Sequence, residues 1–190
     1  DEVLEMFRVV IQLGAILAVV VLYFPKLWPF CSPRDGWIKK DTWILWFKVL
    51  VAALPAAIIG LPFDDLLDKL FYNYQTVAVT LILYGVLFIV VENYNKNRRP
   101  RTRKLEALPW STALLIGVFQ VLALIPGTSR SGSTILGAIL LGCSRSVAAE
   151  FSFFLSIPVM FGASLLKLLK FGLHFTGYEA AILLVGMVTA

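Results

Sequence analysis

Charge is scarce in this 190-residue chain: 15% of its residues are Asp, Glu, Lys or Arg, against about 25% in ordinary soluble domains. Histidine occurs once, at His174, and cysteine twice, at Cys31 and Cys143. The two cysteines stand far apart and offer neither a redox pair nor metal-ligand spacing, so cysteine carries no functional information. A mean hydropathy of +0.83 excludes a soluble enzyme, a disordered tail and a small secreted disulfide scaffold. What fills the chain instead is apolar: 59% of the residues are hydrophobic. The net charge of +5 raises nucleic acid as a partner, but the basic residues are confined to short stretches between apolar runs. That distribution speaks for membrane topology and for no nucleic-acid partner.

The apolar runs extend over about Val9–Phe24, Trp43–Leu61, Phe71–Val91, Ser111–Cys143 and Phe151–Leu166, with one more beginning near Ala180. Each, with its flanks, is expected to be a membrane helix, since the runs are continuously apolar over more than about 8 residues and lack the alternation of strands. Pro55 inside the second is expected to kink it. The chain starts at Asp1 rather than Met, and its last apolar run reaches Ala190 while still short of the roughly 20 residues that cross a bilayer. Residues 1–190 are therefore expected to be one integral-membrane domain cut from a longer chain.

Lysine and arginine set an orientation. The connection after the first run holds Lys26, Arg34, Lys39 and Lys40; the next holds Lys69 beside Asp64, Asp65 and Asp68; the third holds Lys96, Arg98, Arg99, Arg101, Arg103 and Lys104. This alternation is expected when the odd connections face the cytoplasm, which leaves the acidic Asp64–Asp68 turn outside. The third cluster has a second reading, as a site for anionic lipid, on the same side of the membrane.

The fourth run differs from the others. Its 33 residues, Ser111 to Cys143, would measure about 50 Å as one helix, well beyond a ~30 Å hydrocarbon core. The break falls at Ile125-Pro126-Gly127-Thr128-Ser129-Arg130-Ser131-Gly132-Ser133-Thr134. Proline disfavours helix in the residue before it, glycine allows unusual dihedrals, and Ser or Thr caps a new helix. Two half-helices of about 15 and 11 residues, each ~15–22 Å long, then form a re-entrant hairpin or a discontinuous span over 111–143 with its polar turn at depth. Irregular backbone is tolerated there only where it is buried in protein or lines a wet cavity.

This turn carries an arginine, which is costly in a membrane unless partnered. No acidic residue occurs between Glu106 and Glu150, so the counter-charge is a residue of another helix or a bound anion. Around Arg130 stand the hydroxyls of Thr128, Ser129, Ser131, Ser133 and Thr134, the glycines Gly127 and Gly132, and the N–H groups of a helix start. All of those donors suit an anionic oxygen, and guanidinium binds phosphate bidentately. The competing structural reading has Arg130 capping carbonyls of the first half-helix while the hydroxyls bond back to the backbone. The pattern points to an anion; it does not by itself point to hydrolysis.

The run from Pro126 to Thr134, the preceding Gly117-Val118-Phe119-Gln120 and the following Glu150-Phe151-Ser152-Phe153 resemble the second signature of the bacterial undecaprenyl-pyrophosphate phosphatases, the bacitracin-resistance family. Phe7-Arg8-Val9-Val10-Ile11-Gln12-Leu13-Gly14-Ala15-Ile16-Leu17-Ala18 is similar to the segment that follows that family's first signature. The resemblance runs in order through the whole chain. It implies a multi-pass enzyme of the bacterial inner membrane, with its active site open to the outer side, that hydrolyses undecaprenyl pyrophosphate to undecaprenyl phosphate and phosphate and so recycles the cell-wall lipid carrier. It further implies an all-α fold of two inverted repeats with re-entrant hairpins, a divalent cation (Mg2+ or Ca2+) and a possible homodimer. Arg130 would grip the pyrophosphate as the catalytic residue of this part of the chain, with Gly127, Thr128, Ser129, Ser131, Gly132 and Thr134 around the phosphate oxygens. The first signature, with its acid/base residues and nucleophilic serine, is expected upstream of Asp1, so no metal ligands and only half of a site are recognisable here. A weak gapless match of Phe7–Ala18 with Phe151–Gly162 agrees with a repeat.

Other candidates have plainer explanations. His174, the natural general base, lies outside the matched motif and reads as a surface residue. Glu150 is expected to open a helix and complement its dipole, with contact to Arg130 as the alternative. Gln12 and Gln120 read as interhelical hydrogen-bonding groups, with Gln120 also a candidate substrate contact. Trp37, Trp43 and Trp46 read as interfacial anchors, and Asp64, Asp65 and Asp68 as a solvated turn. A membrane transporter or anion channel, in which broken-helix ends hold an anion without chemistry, and a lipid flippase of the same fold are the rival functions.

Overall fold

A computed structural model describes residues 2–30, 39–71, 73–171 and 177–189. Its elements are α1 (Glu2–Leu22), α2 (Phe24–Leu27), α3 (Lys40–Phe71), α4 (Tyr74–Asn95), α5 (Trp110–Val121), a 3-10 turn (Leu122–Leu124), α6 (Arg130–Leu140), α7 (Arg145–Phe171) and α8 (Gly177–Thr189). Among the described residues there is no strand, and one isolated bridge pairs Thr102 with Cys143. Each apolar run of the sequence has become helix, because a backbone in apolar surroundings must satisfy its own hydrogen bonds.

Among the described residues, three segments are long and apolar enough to cross a membrane: Lys40–Gly60, Tyr74–Asn95 and Arg145–Leu166. Ile11–Leu22 of α1 is a further apolar helical segment. The clearest of the three is α4. Asn73 caps it, its Oδ1 accepting the Thr76 N–H at 2.8 Å, and Leu81, Ile82, Leu83, Val86, Ile89 and Val90 are all exposed. A helix left apolar on its open faces belongs in lipid, and this is a membrane protein.

Pro55 and Pro62 both sit within α3, which is one continuous helix. One expectation about this helix is revised. The acidic Asp64–Asp68 segment, expected as a turn, is instead the last part of that helix.

The described residues form two compact units, one of residues up to Thr42 and from Ser156 onward, the other Trp43–Leu155. In the first, α1 packs along α8, with Gly14 against Met187 and Phe7 against Gly186. The second holds the broken run. Val49, Leu108, Ile116 and Phe151 are fully buried within it, and α6 packs against both α5 and α4. Lys48, buried near the start of α3, donates from Nζ to the Glu106 carbonyl at 3.3 Å and lies 5.8 Å from the Trp110 ring centroid. Its ammonium thereby reaches polar backbone at the end of the span while its stem stays in apolar surroundings.

Candidate anion-binding site at the hairpin tip

The 33-residue run breaks where its composition requires. Together α5 and the 3-10 turn account for Trp110–Leu124, and α6 takes Arg130–Leu140, matching the two half-helices expected. Ile125 is extended at φ −78°, ψ 123° as the residue before Pro126. Gly127 follows at φ +88°. A side chain there would be strained by the backbone and would also strike α4, with Val77 Cα 2.7 Å from a Cβ and the Thr80 hydroxyl closer still. Thr80 Oγ1 lies 3.1 Å from the Pro126 carbonyl, which ties the turn to that helix.

Ser129 is the N-cap of α6, its Oγ accepting the Gly132 N–H at 3.2 Å, while the first helical bond runs from Ser133 N–H to the Ser129 carbonyl at 2.9 Å. Ser129 is exposed, and its Oγ is 3.3 Å from the half-buried Ser131 Oγ. Arg130 is therefore the first residue of a helix whose positive end points at the turn. It is half-buried, with its Nη1 enclosed by protein. Thr128 Oγ1 is buried and has no hydrogen-bond partner in the protein, an unusual state for a hydroxyl unless water or a ligand serves it.

The remaining hydroxyls turn inward. Ser133, buried, donates to the Tyr84 hydroxyl at 3.1 Å. Thr134, also buried, sits 2.7 Å from Ser152 Oγ and 3.1 Å from the Arg130 carbonyl. Thr134 thus stands behind the tip with its hydroxyl engaged by protein. The tip brings together Gly127, Thr128, Ser129, Arg130, Ser131 and Gly132.

Gln120 is buried on α5, and neither end of its amide has a partner, so the interhelical bond expected of it is not made. Gln12 is exposed on α1. Glu150 is half-buried, but α7 begins at Arg145 and has no acidic residue in its first turn. The helix dipole acts mainly within that turn, so the dipole role expected of Glu150 is not supported. His174 and Trp37 lie outside the described residues, as do the side chains of Asp64, Asp65 and Asp68.

Three supports were not singled out from sequence: Thr80, Tyr84 and Ser152. The signal for the first two was present, since Thr76, Thr80 and Tyr84 recur at every fourth position of an apolar helix and so share a face. Among the described residues no three His, Cys, Asp or Glu side chains come together. From Gly127 to Gly132 the chain offers hydroxyls, backbone N–H groups and a guanidinium, which suit an oxyanion better than a metal ion.

The fold defines an all-helical membrane protein in which one long apolar run breaks just before Arg130. The chain belongs to the family described as Bacitracin resistance protein BacA, which matches residues 1–190. It is 67% identical over 190 residues to an undecaprenyl-diphosphatase of Acetivibrio thermocellus, covering 100% of this chain and 70% of that protein. Similar matches are an undecaprenyl-diphosphatase of Desulfitobacterium hafniense, 63% identical over 188 residues (98% and 68% covered), and one of Enterococcus faecalis, 62% identical over 192 residues (100% and 70% covered).

Proposed function

We infer that this chain is an undecaprenyl-diphosphatase, hydrolysing undecaprenyl diphosphate to undecaprenyl phosphate and inorganic phosphate. Family membership across the chain and the relatives' names support hydrolysis over transport, channel or flippase activity. Within the chain itself, the carrying observation is the buried, unpartnered Thr128 hydroxyl beside Arg130 and the start of α6.

In this reading the hairpin is re-entrant. Its half-helices of 12 and 11 residues reach about 16–18 Å each, short of a ~30 Å core. The diphosphate enters from the outer face of the bacterial inner membrane and its polyprenyl tail stays among the helices. The Arg130 fork holds two phosphoryl oxygens, Thr128 and Ser131 donate beside it, and the N–H end of α6 adds a fixed partial charge. Such donors neutralise charge that builds on the phosphoryl group, where phosphoryl transfer gains most from a protein. Gly127 and Gly132 let the backbone approach. Ser133 and Thr134 are positioning residues, which hold the first turn of α6 through Tyr84 and Ser152. Gln120 and Glu150 are secondary candidates for contact with the diphosphate.

A divalent cation, Mg2+ or Ca2+, accompanies the reaction in this proposal. The described residues offer it no ligand cluster, so no step is assigned to it. An inverted repeat relating Phe7–Ala18 to Phe151–Gly162 and a homodimer belong to the same proposal, the latter testable by crosslinking in membranes. The central test is phosphate release from undecaprenyl diphosphate by the purified full-length protein, set against anion flux into liposomes. Release without flux is expected, whereas flux without release would remove the assignment.

A further inference from the structure

The basic loop after α4 is fastened to the turn between α6 and α7. The Arg101 and Thr102 N–H groups both donate to the Gly142 carbonyl, at 2.8 and 3.1 Å, and the Ser144 N–H donates to the Thr102 carbonyl at 2.9 Å. Gly142, at φ +91°, supplies the left-handed backbone of that turn. Along this seam lies a half-open cavity of about 630 Å³, within the size range of small-ligand sites. Arg98, Arg99, Arg101 and Arg145 line it, and no carboxylate does.

The four cations are not equivalent. Arg145 is engaged by Glu92, bonding through both Nε and Nη2. Arg98 lies over the Tyr94 ring, 3.9 Å from its centroid. Arg99 and Arg101 are exposed, and no ion pair among the described residues involves either of them. One wall is apolar, formed by Ile139, Leu140 and Leu141. The cavity lies where the α4 span ends and the α7 span begins, which is the headgroup level of a bilayer. It sits at the far end of α6 from Arg130, roughly 16 Å along the helix.

We propose that this cavity is a second oxyanion site, distinct from the hairpin tip, which takes the phosphate of an anionic phospholipid headgroup at Arg99 and Arg101. The shared chemistry is a phosphate oxyanion. Its apolar wall and its position at the span ends favour a lipid source over free phosphate. Lysine and arginine counting puts this end on the cytoplasmic side, where anionic headgroups attract juxtamembrane cations. A loop whose charge served topology alone would need neither the seam nor the cavity, and its cations would be interchangeable. Arg103 and Lys104 provide that comparison: they belong to the same loop but do not line the cavity. The inference does not depend on the diphosphatase reading.

The test uses delipidated full-length protein in detergent, titrated with phosphatidylglycerol, with phosphatidylcholine and with inorganic phosphate, bound species being counted by native mass spectrometry. Phosphatidylglycerol should bind in preference to phosphatidylcholine. Affinity should fall about 20-fold in R99Q/R101Q and about fivefold in each single variant, with little change in R103Q/K104Q. The single variants carry the test should the double variant fail to fold. Arginine-dependent lipid binding that persists in excess phosphate supports the lipid source; displacement by phosphate supports the oxyanion site with the phosphate group as the recognised element. Equal losses in the two double variants, or equal binding of the two lipids, would overturn the proposal.

Discussion

Thr134 Oγ1 and Ser152 Oγ lie 2.7 Å apart in a buried contact that ties α6 to α7 one turn behind the hairpin tip. Thr134 is also 3.1 Å from the Arg130 carbonyl, so the pair fixes the residue that carries the guanidinium. T134V leaves the buried Ser152 hydroxyl without this partner, which costs about 1–3 kcal/mol, and should lower stability by that amount in detergent unfolding. S152A should cost less, because the Thr134 hydroxyl keeps its bonds to the Arg130 and Ser131 carbonyls. Because each variant loses the same bond, the double variant should be much less destabilised than the sum.

Arg130 is predicted to be indispensable for turnover of the full-length enzyme. Loss of a preorganised oxyanion donor costs about 10²–10³-fold in kcat, and R130A should fall at least that far in phosphate release. R130K should recover little, because an ammonium is a point charge and does not reproduce the planar fork. Full activity in R130A would contradict the site.

Gly127→Ala tests the turn. At φ +88° with α4 against it, the added methyl meets both backbone strain of about 1–3 kcal/mol and a steric clash. A lowered Tm together with weakened diphosphate binding is expected. A wild-type Tm would show that the turn does not hold this conformation.

Cys143 is predicted to be inert. Burial pushes its thiol up to about 11, partly offset by a hydrogen bond with Thr102. A raised thiol pKa means the proton is retained, so at pH 8 only about 0.1% is thiolate and maleimide labelling should be slow. In a C31S background, labelling should become rapid on denaturation, and in the folded protein it should rise as the pH approaches 11.

How much of this was legible depended on distance along the chain. The break at Ile125–Ser129 could be read because proline, glycine and the capping serine act on their immediate neighbours. The hydroxyls could not be sorted that way. Ser133 meets Tyr84 from 49 positions away and Thr134 meets Ser152 from 18, and a Ser or Thr in a polar run looks the same whether it faces a ligand or a neighbouring helix. Glu150 was misplaced by one turn because the start of α7 is set by Ser144, whose Oγ accepts the Val147 N–H at 3.3 Å, within a turn already held by Thr102.

By itself, then, the sequence determined the medium, the helices and the point at which one helix breaks around an arginine, since hydropathy and backbone preference are properties of short stretches. Tertiary structure decided which hydroxyls remain at the tip, that the acidic segment after Pro62 is helical, and that the basic loop lines a cavity. Those outcomes depend on which distant groups reach a given atom first, and packing alone sets that.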